Sequence, residues 1–107
     1  MSGARLDPVL IIGTGLIGTS IGMSLRRADV QVLLDDVDPA ALQTAIDRGA
    51  GRRVAEADRP TVVVVAVPPR HAAEVLAAAS ARFADATITD VTSVIVASAK
   101  QIGRAHV

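Results

Sequence analysis

The chain has 107 residues, half of them hydrophobic and only one, Phe83, aromatic, so it encodes a single small domain with a core of Ala, Val, Ile and Leu. Eleven Lys and Arg balance eleven Asp and Glu, which leaves no net field to draw the chain onto nucleic acid or an anionic membrane, and the stacking platforms of single-strand binders are missing. Cysteine is absent, excluding disulfides and thiolate metal sites.

The N-terminal "MSGARLDP" has one Arg and no following apolar segment long enough for a secretion signal. Pro8 precedes "VLIIG", Val9 to Gly13, an unbroken apolar run of the kind found in parallel strands buried on both faces. Helical spacing follows: Ile17, Ile21 and Leu25 share a face, Gly18 and Gly22 beside them let backbone approach the sheet, and Arg26 and Arg27 suit the negative helix end. "VQVLLDD", Val30 to Asp36, reads as the second strand. Asp38 is then a helix N-cap, Pro39 the first helical residue, Leu42 and Ile46 one apolar face, and Gly49 the stop. Within "GAGRRVAEADRP" the pattern allows either a very short strand around Arg52 to Val54 or only loop.

"TVVVVAV", Thr61 to Val67, is the plainest strand, ended by Pro68 and Pro69, which cannot donate a ladder hydrogen bond. Its apolar stretch Val62 to Val67 is the longest in the chain and far too short to span a bilayer, so a soluble cytoplasmic protein is expected. Ala72, Val75, Leu76, Ala79 and Phe83 recur at helical spacing. "TITDV", Thr87 to Val91, is the fourth clear strand, followed by a helical-looking stretch from Ser93. Strands alternating with helices predict a Rossmann-like, doubly wound parallel α/β sheet with right-handed crossovers.

"GTGLIG" places Gly13, Gly15 and Gly18 in the GxGxxG pattern, between a strand and a helix as that motif requires. Gly13 would permit the tight turn, Gly15 would let a pyrophosphate reach the backbone, and Gly18 would allow close helix-to-strand packing. The helix N-terminus adds N–H groups and partial positive charge for the phosphates. No Gly-Lys-Ser/Thr follows, which disfavours a nucleoside triphosphatase loop. An acid at the end of the second strand, roughly 20 residues beyond the loop, would accept hydrogen bonds from the adenosine ribose. Asp36 stands there, with Asp35 the alternative if the register slips by one. An anion at that place repels a 2′-phosphate and Val37 supplies no cation, so NAD is favoured over NADP.

At these residues the sequence resembles a known family. "LIIGTGLIGTSIGMSLRR", "DDVDP", "VVVVAVPP" and "ITDVTSV" are together similar to the N-terminal nucleotide-binding domain of prephenate and arogenate dehydrogenases, the oxidoreductases of tyrosine biosynthesis. The likeness runs from Val9 to about Val94. The first and third motifs are shared with other dehydrogenases of the 6-phosphogluconate type, whereas the fourth is narrower.

The resemblance implies that Gly13, Thr14, Gly15, Leu16, Ile17 and Gly18 cradle the pyrophosphate of NAD and that Asp36 binds its ribose. It implies that Val67, Pro68 and Pro69 edge the cofactor cleft, and that Ser93 lies near the nicotinamide, supporting a catalytic histidine. In the family reaction hydride leaves the ring carbon that bears the substrate hydroxyl, the ring carboxylate is lost as the ring aromatises, and the histidine polarises the hydroxyl. The small-molecule substrate would be prephenate or arogenate. A further helical domain, absent from these residues, would complete the pocket and form a homodimer, so the sheet is expected to be incomplete.

Two positions depart from that pattern: Ile95 replaces a family lysine, and no histidine is followed by Pro-Met. His106 precedes only Val107, and His71 opens a helix, where an exposed, solvated side chain is expected. Ser93, His71 and Asp90 could be drawn as a nucleophilic set, but no nucleophile elbow accompanies them. The final "IGRAHV", Ile102 to Val107, is also the translation of ATC-GGA-AGA-GCA-CAC-GTC, part of a widely used sequencing adapter, and Gln101 can be CAG, as that adapter requires. The expected division is therefore a truncated nucleotide-binding domain over 1–101 and a non-native tail over 102–107. These 107 residues would lack turnover, and the open edge of the fourth clear strand would favour association. The alternatives are the nucleotide-binding domain of a hydroxyacid dehydrogenase or imine reductase, or a non-catalytic NAD-sensing module.

Overall fold

The computed structural model describes residues 7–91. In chain order the elements are β1 (Val9–Ile12), α1 (Leu16–Arg27), β2 (Val32–Asp35), α2 (Pro39–Asp47), β3 (Arg52–Arg53), β4 (Val62–Val65), α3 (Pro69–Arg82) and β5 (Thr87–Asp90). The strands form one parallel sheet in the order β3-β2-β1-β4-β5. The expected Rossmann-like, doubly wound architecture is what the chain adopts.

Side-chain alternation along the strands builds two cores. Val9 and Ile11 of β1, Val32 and Leu34 of β2 and Val64 of β4 face α1 and α2, where Leu42 and Ala45 are buried and Ile21, Met23 and Leu25 pack alongside. Leu10, Leu33, Val63 and Val65 face the other way, against Ala79, Val75, Leu76 and Phe83 at or just beyond α3. Because both faces are covered, the central strands carry apolar residues at almost every position. Each fully buried Leu or Val contributes roughly 1.5–3 kcal/mol relative to exposure.

β2 and β4 are shorter than the apolar stretches that contain them, for local reasons. Val30 closes the turn after α1, donating its N–H to the Leu25 carbonyl at 3.0 Å beside Asp29 at φ 63°, so β2 starts only at Val32. β4 stops at Val65, although the Ala66 N–H still reaches the Ile12 carbonyl at 2.7 Å. Pro68 and Pro69 do not end that strand directly: Pro68 is the N-cap of α3 and Pro69 its first residue. Asp38 caps α2 as expected, accepting from the N–H groups of Ala40 and Ala41 at 3.0 and 3.4 Å.

The ambiguous glycine-rich stretch resolves as the two-residue strand β3. Its exposed arginines put charge on the sheet edge, and Arg52 clasps Asp58 through both terminal nitrogens, at 3.0 and 2.8 Å. The pair holds Asp58 at about 2. Such charge blunts an edge against strand addition. At the opposite end β5 pairs only with β4 among the described residues.

Two expectations for α1 are corrected. Ile17 does not join Ile21 and Leu25 in the core but is 47% exposed, because the first turn of α1 overhangs the ends of the strands. Gly22 meets the Ala50 carbonyl in the turn before β3 rather than the sheet itself. The helix expected from Ser93 lies outside the described residues.

Candidate functional site

Strand register decides where the site is. Ile12 lies level with Asp35 and Val65, and Val65 with Asp90, so Gly13, Asp36, Ala66 and Val91 all leave the sheet at one edge. The chain order reverses there, β1 to β2 running one way and β4 to β5 the other. A crevice opens at such a switch point, and here it measures about 820 Å³. Ile12, Gly13, Ala66 and Val91 line it with Gly15, Leu16 and Ile17 of the α1 turn, and Asp36 to Asp38 and Ala41 stand on the β2 side. Val67 and Pro68, just before α3, and Pro69, His71, Glu74 and Val75 on it complete the lining.

The glycine loop is shaped by what surrounds it. Gly13 has φ 102°, and a Cβ there would stand 2.7 Å from the Ala66 carbonyl oxygen, so only glycine fits between β1 and β4. A Cβ on Gly18 would collide with the Gly13 carbonyl. Gly15 differs, since nothing lies within 4 Å of where its Cβ would be. That free space fronts the start of α1, whose N-cap Gly15 offers no side-chain hydrogen bond and whose first turn has no acid. Its N–H groups and the helix dipole therefore remain available to an anion. α2, by contrast, is capped by its own Asp38.

Thr14 takes no part in lining the crevice. It is 4% exposed, and its N–H and hydroxyl both donate to Asp36 Oδ2, at 2.6 and 2.7 Å. The Thr14 carbonyl accepts from the Thr19 hydroxyl at 3.1 Å, and Asp36 Oδ1 accepts the Asp38 N–H at 2.8 Å. Partial burial pushes the Asp36 carboxyl up, but the N–H groups of Asp38, Thr14 and Val37 and the Thr14 hydroxyl outweigh it and hold the group below the ordinary carboxylate value. Asp36 is thus anionic at the mouth of the crevice. Asp35, the one-residue alternative, is the last residue of β2 and lies 3.9 Å from Arg82, outside the crevice lining.

The structure thus brings Gly13, Gly15, Leu16, Ile17, Asp36, Val67, Pro68 and Pro69 to one crevice, with Thr14 and Gly18 buried behind the loop. His71 is exposed as expected, yet it also lines the crevice, as do Val37, Ala41 and Glu74, none of which sequence reasoning singled out as lining residues. Their only signal was position: Val37 and Ala41 follow β2 by two and six residues, and His71 and Glu74 follow β4 by six and nine. Ser93 and the segment 102–107 lie outside the described residues. Among the described residues no group of His, Asp and Glu could hold a metal ion, and no helix is long and apolar enough to cross a membrane.

A parallel sheet, a glycine turn into an uncapped helix and an acid at the neighbouring strand end define a Rossmann-like nucleotide-binding domain. The family model described as "Prephenate dehydrogenase, nucleotide-binding domain" matches residues 21–106, and the chain belongs to that family. The match begins beyond Gly18, so the glycine loop is a separate indication. "Probable prephenate dehydrogenase NovF" of Streptomyces niveus is 41% identical over 93 residues, covering 87% of this chain and 26% of that protein. Among solved structures, A. aeolicus prephenate dehydrogenase, in complex with hydroxyphenyl propionate and NAD+, superposes with a TM-score of 0.72 at 28% identity. That match covers 83% of this chain and 34% of the other. Synechocystis arogenate dehydrogenase, at 19% identity and TM-score 0.67 over 77% of this chain and 31% of its own, shares the fold. The chain therefore spans about a quarter of the curated relative and a third of these solved chains.

Proposed function

We propose that this chain is the NAD-binding part of a cytoplasmic oxidoreductase that oxidatively decarboxylates prephenate or arogenate in tyrosine biosynthesis. The observation that carries the reading is the open face of Gly15 beside the uncapped start of α1, with the Asp36 carboxylate across the same crevice. Family membership and the NAD+ held by the A. aeolicus relative support it.

The residues present fit a dinucleotide. The α1 N–H groups would bind the pyrophosphate, and Asp36 would accept a ribose hydroxyl while disfavouring a 2′-phosphate by charge repulsion. Leu16 and Ile17, 80% and 47% exposed, would keep water from the middle of the cofactor. Val67, Pro68 and Pro69 would border the cleft toward the substrate side. When bound, the nicotinamide ring supplies the hydride acceptor. Ser93 would orient a histidine, and neither His71 nor His106 stands in the family's His-Pro-Met context. The catalytic histidine and the dimer-forming helical domain would belong to further sequence, and these 107 residues would bind cofactor without turnover.

Calorimetric titration of the folded chain with NAD+, NADP+ and ADP-ribose tests this reading. Saturable binding with NAD+ tighter than NADP+ is expected. A folded chain that binds none of the three would overturn the proposal.

A further inference from the structure

One end of the crevice carries features that pyrophosphate and ribose binding leave unexplained. Val37 is an apolar side chain 101% exposed, immediately after the ribose acid, and faces the same space as Ala41, Pro69 and Val75. Val37 and Ala41 line the crevice from the β2–α2 side and Pro69 and Val75 from α3, so two elements offer apolar surface to a flat ring. At its margin stand His71 and Glu74, three residues apart on α3 and hence on the same helix face. The Glu74 carboxylate has no hydrogen-bond or ion-pair partner among the described residues, so it presents only acceptors. His71 Nε2 accepts from Arg70 Nε at 3.2 Å, an arrangement in which the neutral ring carries its proton on Nδ1 as a donor.

We infer that His71 and Glu74 select the purine base of the cofactor, recognising the 6-amino edge of adenine. This inference rests on the dinucleotide reading above and deepens it. Adenine presents along that edge an amino donor at position 6 and an acceptor at N1. Glu74 supplies the matching acceptor and His71 the matching donor, while Val37 and Val75 cover the two ring faces. Hypoxanthine reverses both groups, with a carbonyl acceptor at position 6 and a donor at N1. It would set acceptor against carboxylate and donor against donor, and such mismatches discriminate more strongly than lost contact area. Arg70 therefore acts through His71, as a positioning residue that keeps Nε2 an acceptor.

The test is calorimetric titration of the full chain, and of its Glu74→Gln and His71→Ala variants, with NAD+, nicotinamide hypoxanthine dinucleotide and ADP-ribose, each variant checked by circular dichroism. The unsubstituted chain is expected to bind NAD+ about fivefold or more tightly than the hypoxanthine analogue. Glu74→Gln, whose amide can donate as well as accept, is expected to bring the two within about twofold by strengthening analogue binding. Equal binding of both dinucleotides by the unsubstituted chain, or an unchanged ratio in both variants, would overturn the base-selection proposal while leaving the cofactor reading intact. Failure of ADP-ribose and both dinucleotides to bind would instead overturn the cofactor reading and this inference with it.

Discussion

Asp36 Oδ2 receives both the backbone N–H and the hydroxyl of Thr14, at 2.6 and 2.7 Å, across 22 residues of sequence. The acid placed to read the ribose thus also holds the glycine loop in shape. Both Thr14 donors converge on Oδ2 and the Asp38 N–H reaches Oδ1, so the remaining acceptor capacity of Asp36 is directed mainly from Oδ1. Thr14→Val keeps the shape and removes the hydroxyl donor. It should cost about 1 kcal/mol in urea unfolding, and weaken dinucleotide binding because the loop is less firmly held.

Acid should act through the same carboxylate. Asp36 titrates below its ordinary value in the folded chain, so the unfolded chain takes up the proton first. Its stabilising contribution is complete above about pH 4 and is lost as pH falls through the lowered folded-state value. Unfolding free energies of the unsubstituted chain and Asp36→Asn, measured from pH 7 downward, should converge in that acid range. A gap that stays constant with pH would contradict the assignment.

The glycines separate fold from ligand. Gly18→Ala drives a methyl into the Gly13 carbonyl, a backbone atom that cannot turn aside, and should cost about 1–3 kcal/mol or more of stability. Gly15→Ala meets open space at φ −73°, and should leave the melting temperature nearly unchanged. The same methyl stands where a pyrophosphate would rest, and binding of NAD+ should fall by about tenfold or more. Thermal melts and calorimetry on this pair check both halves.

In the core, Leu34 is fully buried between β2 and the helices α1 and α2. Leu34→Ala should destabilise by about 2–5 kcal/mol, according to how far the site collapses. Arg52→Ala, at the exposed β3 edge, should leave stability close to that of the unsubstituted chain because its ion pair with Asp58 is at the surface. Chemical denaturation of the two variants gives the comparison directly.

Much of this protein could be read from local pattern. Asp38, Pro39 and the Leu42 spacing specify α2, because a cap, a fixed φ and a repeating apolar face act within a few residues. The runs at Val9 and Val62 specify buried strands, and the glycine spacing between the first strand and its helix specifies the turn. Strand ends were harder, since Val30 and Val67 have the same chemistry as strand residues but belong to turns. Whether Arg52 and Arg53 form a strand depended on β2 being alongside, a partner no local pattern contains.

The sequence by itself determined the element order, the parallel sheet and the loop suited to phosphates, because each follows from short-range sterics and apolar periodicity. Only the tertiary structure decided what each crevice residue faces. It turned Thr14 inward onto Asp36, left Gly15 open, lifted Ile17 out of the core, and brought His71, Glu74 and Val37 to one crevice. The physical reason is strand register: residues 23 and 53 positions apart meet at the ends of the strands only when β1, β2 and β4 are hydrogen-bonded level with one another.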